Sequence, residues 1–398
     1  MKILVICQHY WPEPFQITEI CEELVARGHE VTAVVGLPNY PSGVIPIEYK
    51  HFRNRNQVKN GVHINRCFEV GRKNSKLGLA INYCSYMFSA CHKVLWLKHD
   101  YDVVYAYSTS PVLMSLPAAF LRCFSSKKLM IYILDIWPAC LAAMNVYEGS
   151  MLYALMKRVS HWVYAKADRL VYSSKRFQGY LQQVHHLYVP DEQYLPQFAD
   201  DLFDTLPERV PAQGWNFVFA GNIGKVQNVE TLIMAAYLLK EEPIHWHILG
   251  DGSNHEACVS LVEKLGLTGI VTMYGRKPKA DMPAFYAMAD AMLVSMKSDS
   301  CVNDTLPGKV QSYMAAGKPI LGAIAGETPY IVAQANCGFC APPEDPSAFA
   351  DVVRAFIARN DQLLMGENAK RYYQANFTKQ GHMDKLESML IALCEGNQ

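Results

Sequence analysis

The sequence predicts an α/β fold built from two βαβ domains, and three observations predict it. Short apolar runs rich in β-branched residues alternate with helical segments from Met1 onward. That alternation restarts at Trp215, after a proline- and acid-rich stretch over 191–211. In both halves the strands end in polar or glycine-bearing loops, where open parallel sheets place their functional atoms. A chain of 398 residues exceeds one ordinary core and suits two domains, expected at 1–195 and 196–375 with a closing helical segment at 376–398.

Composition narrows the function. The chain is 51% hydrophobic and 19% charged, which is globular rather than disordered. Net charge is zero, which excludes a generally basic nucleic-acid binder. The 12 cysteines read as scattered with no Cys-x-x-Cys pair, which suits a reducing cytosol and suggests neither a zinc site nor a redox pair. No apolar run reaches the roughly 18 residues of a membrane-spanning helix.

Met1–Cys7 reads as a first strand rather than a leader, because its apolar run is short and ends in Gln8-His9-Tyr10. A loop with two prolines, a helix over Ile17–Arg27 ended by Gly28, and a strand over His29–Val35 complete a βαβ unit. Its working edge holds Tyr10–Phe15 and Gly36–Ser42, so Glu13, Asn39 and Tyr40 are candidate ligand contacts. Lys50–Lys76 then carries eight basic residues against Glu69 alone. It leads into Leu77–Leu97, where apolar and aromatic residues recur near helical spacing. A basic stretch followed by an aromatic amphipathic helix suits an anionic membrane surface, with Arg53, Arg55, Arg72 and Lys73 as headgroup contacts. A core helix beside a solvated loop explains the pattern equally well.

Asp102–Tyr107 is the next strand, and Ser108-Thr109-Ser110-Pro111 caps a helix over Val112–Cys123. The strand Lys128–Leu134 ends in Asp135-Ile136-Trp137-Pro138. A lone acid at the end of a buried strand makes Asp135 a candidate functional polar group. The alternative is an N-cap for a helix near Cys140. A helix over Leu152–Ala167, a strand over Asp168–Ser174 and a helix from Lys175 close the first half.

In the second half, Trp215–Ala220 runs into Gly221-Asn222-Ile223-Gly224-Lys225 and a helix over Val229–Leu239. Gly-x-x-Gly between strand and helix permits close approach to a phosphate, but Phe219 rules out a dinucleotide fingerprint. Strands over Ile244–Leu249 and Val271–Arg276 and a helix over Met282–Ala289 follow. Ser295–Ala323 is the stretch around which the chain is organised. A strand over Ala291–Val294 ends in a polar loop, Lys297–Asp304. Pro307-Gly308 opens a helix over Lys309–Ala316, Gly317 closes it, and a strand over Ile320–Ala323 follows. The first N–H groups of such a helix lack intrahelical partners and face an anion well. Lys309 in the first turn, where the dipole disfavours a cation, makes sense as a phosphate ligand, although a solvated lysine fits the spacing too. Gly326-Glu327-Thr328-Pro329 precedes a helix from Tyr330, Cys337–Cys340 is a short strand, and helices over Pro346–Arg359 and Ala369–Cys394 end the chain.

Four stretches carry a resemblance: PNYPSGVIPIEY, DIWP, AGNIGKVQN and PGKVQSYMAAGKPI. They resemble the GT-B glycosyltransferases of the retaining, family 4 type with a Glu-x7-Glu motif, and most of all the bacterial O-antigen and capsule N-acetyl-L-fucosaminyltransferases. The resemblance covers nearly the whole chain. It implies a GT-B fold, with two Rossmann-like domains facing across a cleft and the final helix crossing back to the first. It implies donor contacts from Gly221, Asn222, Lys225, Gly275, Arg276, Pro307, Gly308, Ser312 and Glu327, acceptor contacts from Glu13, Asn39 and Tyr40, and Asp135, Asp304 and Lys309 as the catalytic set, with Asp135 as acceptor-hydroxyl partner or general base. Two departures stand out. The Glu pair has become Asp304 and Ser312, which shifts diphosphate charge onto Lys309. The diphosphate turn has Asn222 and Gln227 in place of the usual Arg and Lys, leaving Lys225 as its nearby cation. No Asp-x-Asp stands in a metal-holding loop, so metal-independent chemistry with no cofactor beyond a UDP-sugar donor is expected. The implied reaction moves an N-acetyl-L-fucosamine-type deoxy-aminosugar, with retention, to a polyprenyl-diphosphate-linked sugar. The implied location is cytoplasmic, peripheral on the inner face of the cell membrane. Two other readings stay open: a GT-B-fold nucleotide-sugar epimerase with no acceptor, and a non-catalytic sugar-nucleotide-binding partner in a polysaccharide assembly complex.

Overall fold

The computed structural model describes residues 1–73, 75–98, 100–209, 213–298 and 304–396. It divides the chain into two units, Met1–Leu195 with Met383–Gln398, and Pro196–His382.

In the first unit, β1 (Lys2–Ile6), α1 (Ile17–Ala26) and β2 (Glu30–Val35) open the chain. β3 (Asn56–Lys59), β4 (Val62–Arg66), α2 (Lys76–Trp96), β5 (Val103–Ser108) and α3 (Leu116–Leu121) follow. β6 (Lys128–Ile133), α4 (Met151–Ala165), β7 (Arg169–Tyr172) and α5 (Lys175–His185) complete it. The sheet order is β3-β4-β2-β1-β5-β6-β7, parallel except for β3 against β4. β1 lies between β2 and β5, so the strand order reverses there and leaves a crevice outside the carboxyl ends of β1 and β5. Ile3 to Ile6 are buried without alternation, as a strand covered on both faces requires.

The second unit carries β8 (Trp215–Ala220), α6 (Val229–Leu238), β9 (Ile244–Leu249), α7 (His255–Lys264), β10 (Val271–Gly275), α8 (Met282–Met288) and β11 (Ala291–Ser295). α9 (Gly308–Ala315), β12 (Ile320–Ala323), α10 (Glu327–Ala335), β13 (Gly338–Ala341), α11 (Pro346–Ile357) and α12 (Gln362–Asn376) follow. Its parallel sheet runs β10-β9-β8-β11-β12-β13, with the reversal between β8 and β11. Apolar clusters cover both faces, one under α6 and α11, the other under α8, α9 and α10. The last helix, α13 (Lys379–Glu395), is grouped with the first unit from Met383 on. There Arg27 meets Asp384 at 2.7 Å and Glu387 at 2.8 Å, and Arg169 donates to the Met389 carbonyl at 2.8 Å.

Five features differ from the sequence reading. The basic segment contains the β3–β4 hairpin, turned at Asn60-Gly61 with both residues at positive φ; the density of charge hides the alternation of Val62 and Ile64 with polar neighbours. The helix expected over Val112–Cys123 is a 3-10 turn at Val112–Ser115 followed by α3. α10 starts at Glu327 rather than Tyr330, because Pro329 is tolerated in a first turn, where its missing N–H is no loss. The closing helical run is two helices parted at Phe377-Thr378, and α7 was not anticipated. Cys337 and Cys340 stand at Cys-x-x-Cys spacing, but both thiols are free and burial pushes each up to about 12, so neither is a reactive thiolate.

Candidate active site

The donor-side candidates gather at the β8/β11 reversal. Gly221 leaves β8 at φ +148°, a conformation open to glycine, and its N–H bonds the Leu249 carbonyl at 3.0 Å. A Cβ on Gly250 would fall 1.7 Å from the Gly221 carbonyl oxygen, so the ends of β8 and β9 approach as only glycine allows. Gln227 takes a structural role where a cation was looked for: its Oε1 accepts from the Asn222 side chain at 2.9 Å and from the Gly224 N–H at 3.1 Å. The turn is thus stiffened by hydrogen bonds internal to it.

α9 begins at Gly308, just after Pro307. It is anchored to the end of β8 by Tyr313, whose hydroxyl accepts from the Ala220 N–H at 3.2 Å and donates to the Ala220 carbonyl at 3.0 Å. Lys309 is half-buried along its stem, but its Nζ is sealed from solvent and has no hydrogen-bond partner. The nitrogen sits 3.9 Å over the Phe219 ring, and a Cβ on Gly221 would lie 2.8 Å from it. Burial alone pushes this amine down to about 7. Lys318 makes the contrast: burial pushes it down to about 8, yet it donates to the Ala287 and Ala289 carbonyls at 3.0 and 2.9 Å. Lys309 has the desolvation without the partners.

The remaining donor-side candidates surround this centre. Asn222, Lys225 and Arg276 are exposed, and Gly275, at φ +65°, faces open space. Asp304 is half-buried, and Ser312 donates to the Gly308 carbonyl at 3.3 Å within its own helix. Glu327 is buried at the first position of α10. The middle of the polar loop, 299–303, lies outside the described residues. Among the described residues no group of three or more His, Cys, Asp or Glu side chains is placed to hold a metal.

The acceptor-side candidates gather at the strand ends of the first unit. Glu13 Oε1 accepts from the Asn39 and Tyr40 N–H groups at 2.7 and 2.6 Å, and its Oε2 meets His9 Nδ1 at 2.8 Å. A second carboxylate grips the same turn. Glu69 accepts from Gln8 Nε2 at 2.8 Å, Asn39 Nδ2 at 2.9 Å, Asn82 Nδ2 at 2.6 Å and the Leu37 N–H at 2.9 Å. Burial pushes Glu69 up to about 7, with those donors pulling the other way. Gly36 is required beside it, since a Cβ there would fall 1.9 Å from Glu69 Oε2. Tyr40, held through its N–H by Glu13, is exposed at its ring and packs edge-on against His9 and Phe15.

Asp135 is half-buried and accepts from the Ser110 N–H at 2.8 Å, and the 3-10 turn that follows at Ala139–Met144 is preceded by Pro138 rather than capped by Asp135. Burial raises its pKa, and the Ser110 bonds offset part of that rise. The loop beyond it is clamped at Trp137, whose N–H donates to Tyr164 Oη at 3.2 Å and whose carbonyl meets His185 Nε2 at 2.8 Å. Tyr83 lies within electrostatic reach of Asp135, Glu69 and Arg72 together, which brings the acceptor set into one neighbourhood.

Two of the four headgroup candidates are not on a free surface. Arg55 is half-buried and donates to the Cys67 carbonyl at 2.9 Å, and Arg72 sits 5.7 Å over the Tyr40 ring beside Asn39. Arg53 and Lys73 are exposed. The sequence reading missed Gln8, His9, Glu69, Asn82 and Tyr83. The available signal was Glu69 itself, a single acid in a basic run, and Asn82, a polar residue on an otherwise apolar helix face.

The comparisons with known proteins fit this geometry. Residues 15–196 match the "Glycosyl transferase 4-like domain" model, and residues 207–374 match "Glycosyl transferases group 1". This chain is a GT-B glycosyltransferase of that family. It is 26% identical over 351 residues to "Probable glycosyltransferase WbjE" of Pseudomonas aeruginosa, covering 82% of this chain and 84% of that one. WcaI of Escherichia coli K12, named for glycosyl transfer in colanic acid biosynthesis, is 23% identical over 336 residues, covering 80% and 82%. Among solved structures, sucrose-phosphate synthase from Thermosynechococcus elongatus aligns at TM-score 0.78 and 16% identity over 99% of both chains. Anabaena HepE in complex with UDP aligns at TM-score 0.71 and 16% identity over 98% of this glycosyltransferase and 100% of that chain. The enzyme is thus a glycosyltransferase, with one such domain in each half of the chain.

Proposed function

We propose that this glycosyltransferase moves a sugar from a UDP-sugar donor to a polyprenyl-diphosphate-linked sugar in O-antigen or capsule assembly. The sugar is an N-acetyl-L-fucosamine-type deoxy-aminosugar, and its configuration is retained. The observation that carries the donor half is Lys309: a sealed, unpartnered amine at the start of α9, against a glycine turn, at the reversal of the sheet. A diphosphate there gains the α9 N–H groups, the positive end of its dipole and the Lys309 ammonium. Those groups stabilise the charge that grows on the leaving diphosphate as the glycosidic bond breaks. Asn222, Lys225, Gly275, Arg276, Pro307, Gly308, Ser312 and Glu327 complete the donor set, with Asp304 ahead of the helix.

On the acceptor side, Asp135 takes the acceptor hydroxyl as partner or base, since burial raises its affinity for a proton. Glu13, Asn39 and Tyr40 orient the acceptor sugar. HepE's complex with UDP supports the choice of nucleotide, and the colanic acid naming of WcaI supports the choice of pathway class. Charge stabilisation by protein groups alone supports a metal-independent reaction.

The protein works at the inner face of the cell membrane as a peripheral enzyme. No helix of the described residues is long and apolar enough to cross a bilayer. α2 supports surface binding, because it buries Tyr86, Ala90 and Val94 on one side yet exposes Leu77 (71%), Phe88 (68%) and Trp96 (78%) on the other. Arg53 and Lys73 supply its cationic flank.

The test is a panel of nucleotide sugars incubated with a short-chain polyprenyl-diphosphate GlcNAc, following free nucleotide and product mass. Diphosphate release with a product heavier by one sugar supports the transferase. An altered sugar nucleotide without acceptor product indicates the epimerase, and binding without turnover indicates the non-catalytic partner.

A further inference from the structure

The amine of Lys309 sits in surroundings that discourage a positive charge while the site is empty. Its nitrogen has lost water without gaining an acceptor. It lies in the first turn of α9, where the helix dipole opposes a cation. The Phe219 face at 3.9 Å is the one favourable contact for an ammonium, and a ring offsets only part of full desolvation. Among the described residues no ion pair involves Lys309. Tyr313, on the same helix, commits its hydroxyl to the Ala220 main chain. The charged groups on the neighbouring loops are Lys225, Arg276 and Asp304, with Glu327 at the start of α10, and Lys309's shift is assigned to burial rather than to any of them. Burial is the cause that lowers its hold on a proton.

We propose that the donor diphosphate is bound together with a proton taken from solvent by Lys309, so that the empty site holds a neutral amine and the filled site an ammonium. The inference rests on the donor reading above and adds its coupling. In the binding step the amine lone pair accepts one proton from water or buffer, and the diphosphate stays ionised. No other bond forms or breaks, and departure of the nucleotide returns the proton. The device makes the strongest charge in the site conditional on the ligand that needs it. It also makes affinity for the nucleotide diphosphate fall by about tenfold per pH unit above neutrality, as linkage of one proton to one ligand requires.

Titration calorimetry tests this with UDP first, then GDP, CDP and dTDP. The titrations are run at pH 8, well above the second phosphate ionisation near ~6, in three buffers of different ionisation enthalpy. The wild type is expected to take up close to one proton per nucleotide, about 0.9 for an amine titrating near 7. Lys309→Arg, a permanent cation, is expected to bind with no uptake and a flat affinity between pH 7 and 9. Lys309→Met is expected to show no uptake with whatever affinity remains. Tight UDP binding by the wild type without proton uptake overturns the inference and leaves the donor reading intact. Equal uptake in wild type and Lys309→Met overturns it too. Failure of every nucleoside diphosphate to bind overturns the donor reading, and the inference with it.

Discussion

Replacing Lys309 with Met is expected to make the protein more stable and a worse binder at the same time. In the ligand-free protein the sealed amine has no partner, and an unsatisfied buried polar group costs about 1–3 kcal/mol, which a methionine of similar length removes. The pH dependence has a definite sign. The unfolded lysine holds its proton up to about 10.5, whereas the folded one releases it near 7. Between those values the unfolded state binds more protons, so wild-type stability rises with pH through this window. The advantage of the variant is therefore largest at pH 6, where the fold must carry the ammonium, and smallest at pH 9. Binding moves the other way. Loss of a charge-assisted hydrogen bond to a diphosphate costs about 1.5–3 kcal/mol, roughly 10- to 150-fold in affinity for UDP. Urea unfolding followed by tryptophan fluorescence reads the stability, since Trp215 and Trp246 lie in β8 and β9 of the second unit. Calorimetry reads the binding. A variant that is less stable at pH 6 and binds UDP unchanged would show Lys309 to be a packing element and refute the donor site built on it.

Three further outcomes are expected. Asp135→Asn should leave nucleotide binding within about twofold and abolish transfer to acceptor; retained turnover would remove Asp135 from the proton path. Glu69→Gln should raise the acceptor KM with donor affinity unchanged. Because the fold holds the Glu69 proton up to about 7 against the usual 4.5, the carboxylate lowers stability as pH rises through that window, by about 3 kcal/mol at most. Thermal melts of wild type and variant should accordingly shift in favour of the variant between pH 5 and 8, and a constant difference would mean that Glu69 does not titrate there. Changing Leu77, Phe88 and Trp96 to Glu should release the protein from vesicles containing anionic lipid, and equal co-sedimentation with the wild type would dismiss α2 as a membrane surface.

Much of the fold is written locally, and the failures share a physical cause. Buried parallel strands such as Ile3 to Ile6 and Ile320 to Ala323 declare themselves as short apolar runs, because both of their faces are covered. The β3–β4 hairpin does not, since its edge position tolerates charge and its alternation is drowned by lysine and arginine. The Asn60-Gly61 turn was the readable sign. α2 misleads for a different reason. It is apolar on the side facing the core and again on the side facing away, so periodicity cannot say which stripe is buried; tertiary packing selects Asn82, Tyr86, Ala90 and Val94.

The candidate site was half legible along the same line. Lys309 could be found because helix punctuation and an out-of-place charge are local features. Glu69 could not, because its meaning comes from Gln8, Leu37, Asn39 and Asn82, which reach it from separate segments of the chain. Yet the two residues pose one physical question. Each is an ionisable group buried against its own charge, Glu69 pushed up to about 7 and Lys309 down to about 7. Each belongs to its sheet's reversal, where Glu69 binds Gln8 just past β1 and Lys309 packs on Phe219 at the end of β8. An apolar residue in place of the unpartnered Lys309 would stabilise the fold, whereas at Glu69 it would strand the four donors that grip it. Structural need therefore does not account for Lys309, whereas a phosphate bound at the reversal of its own sheet does.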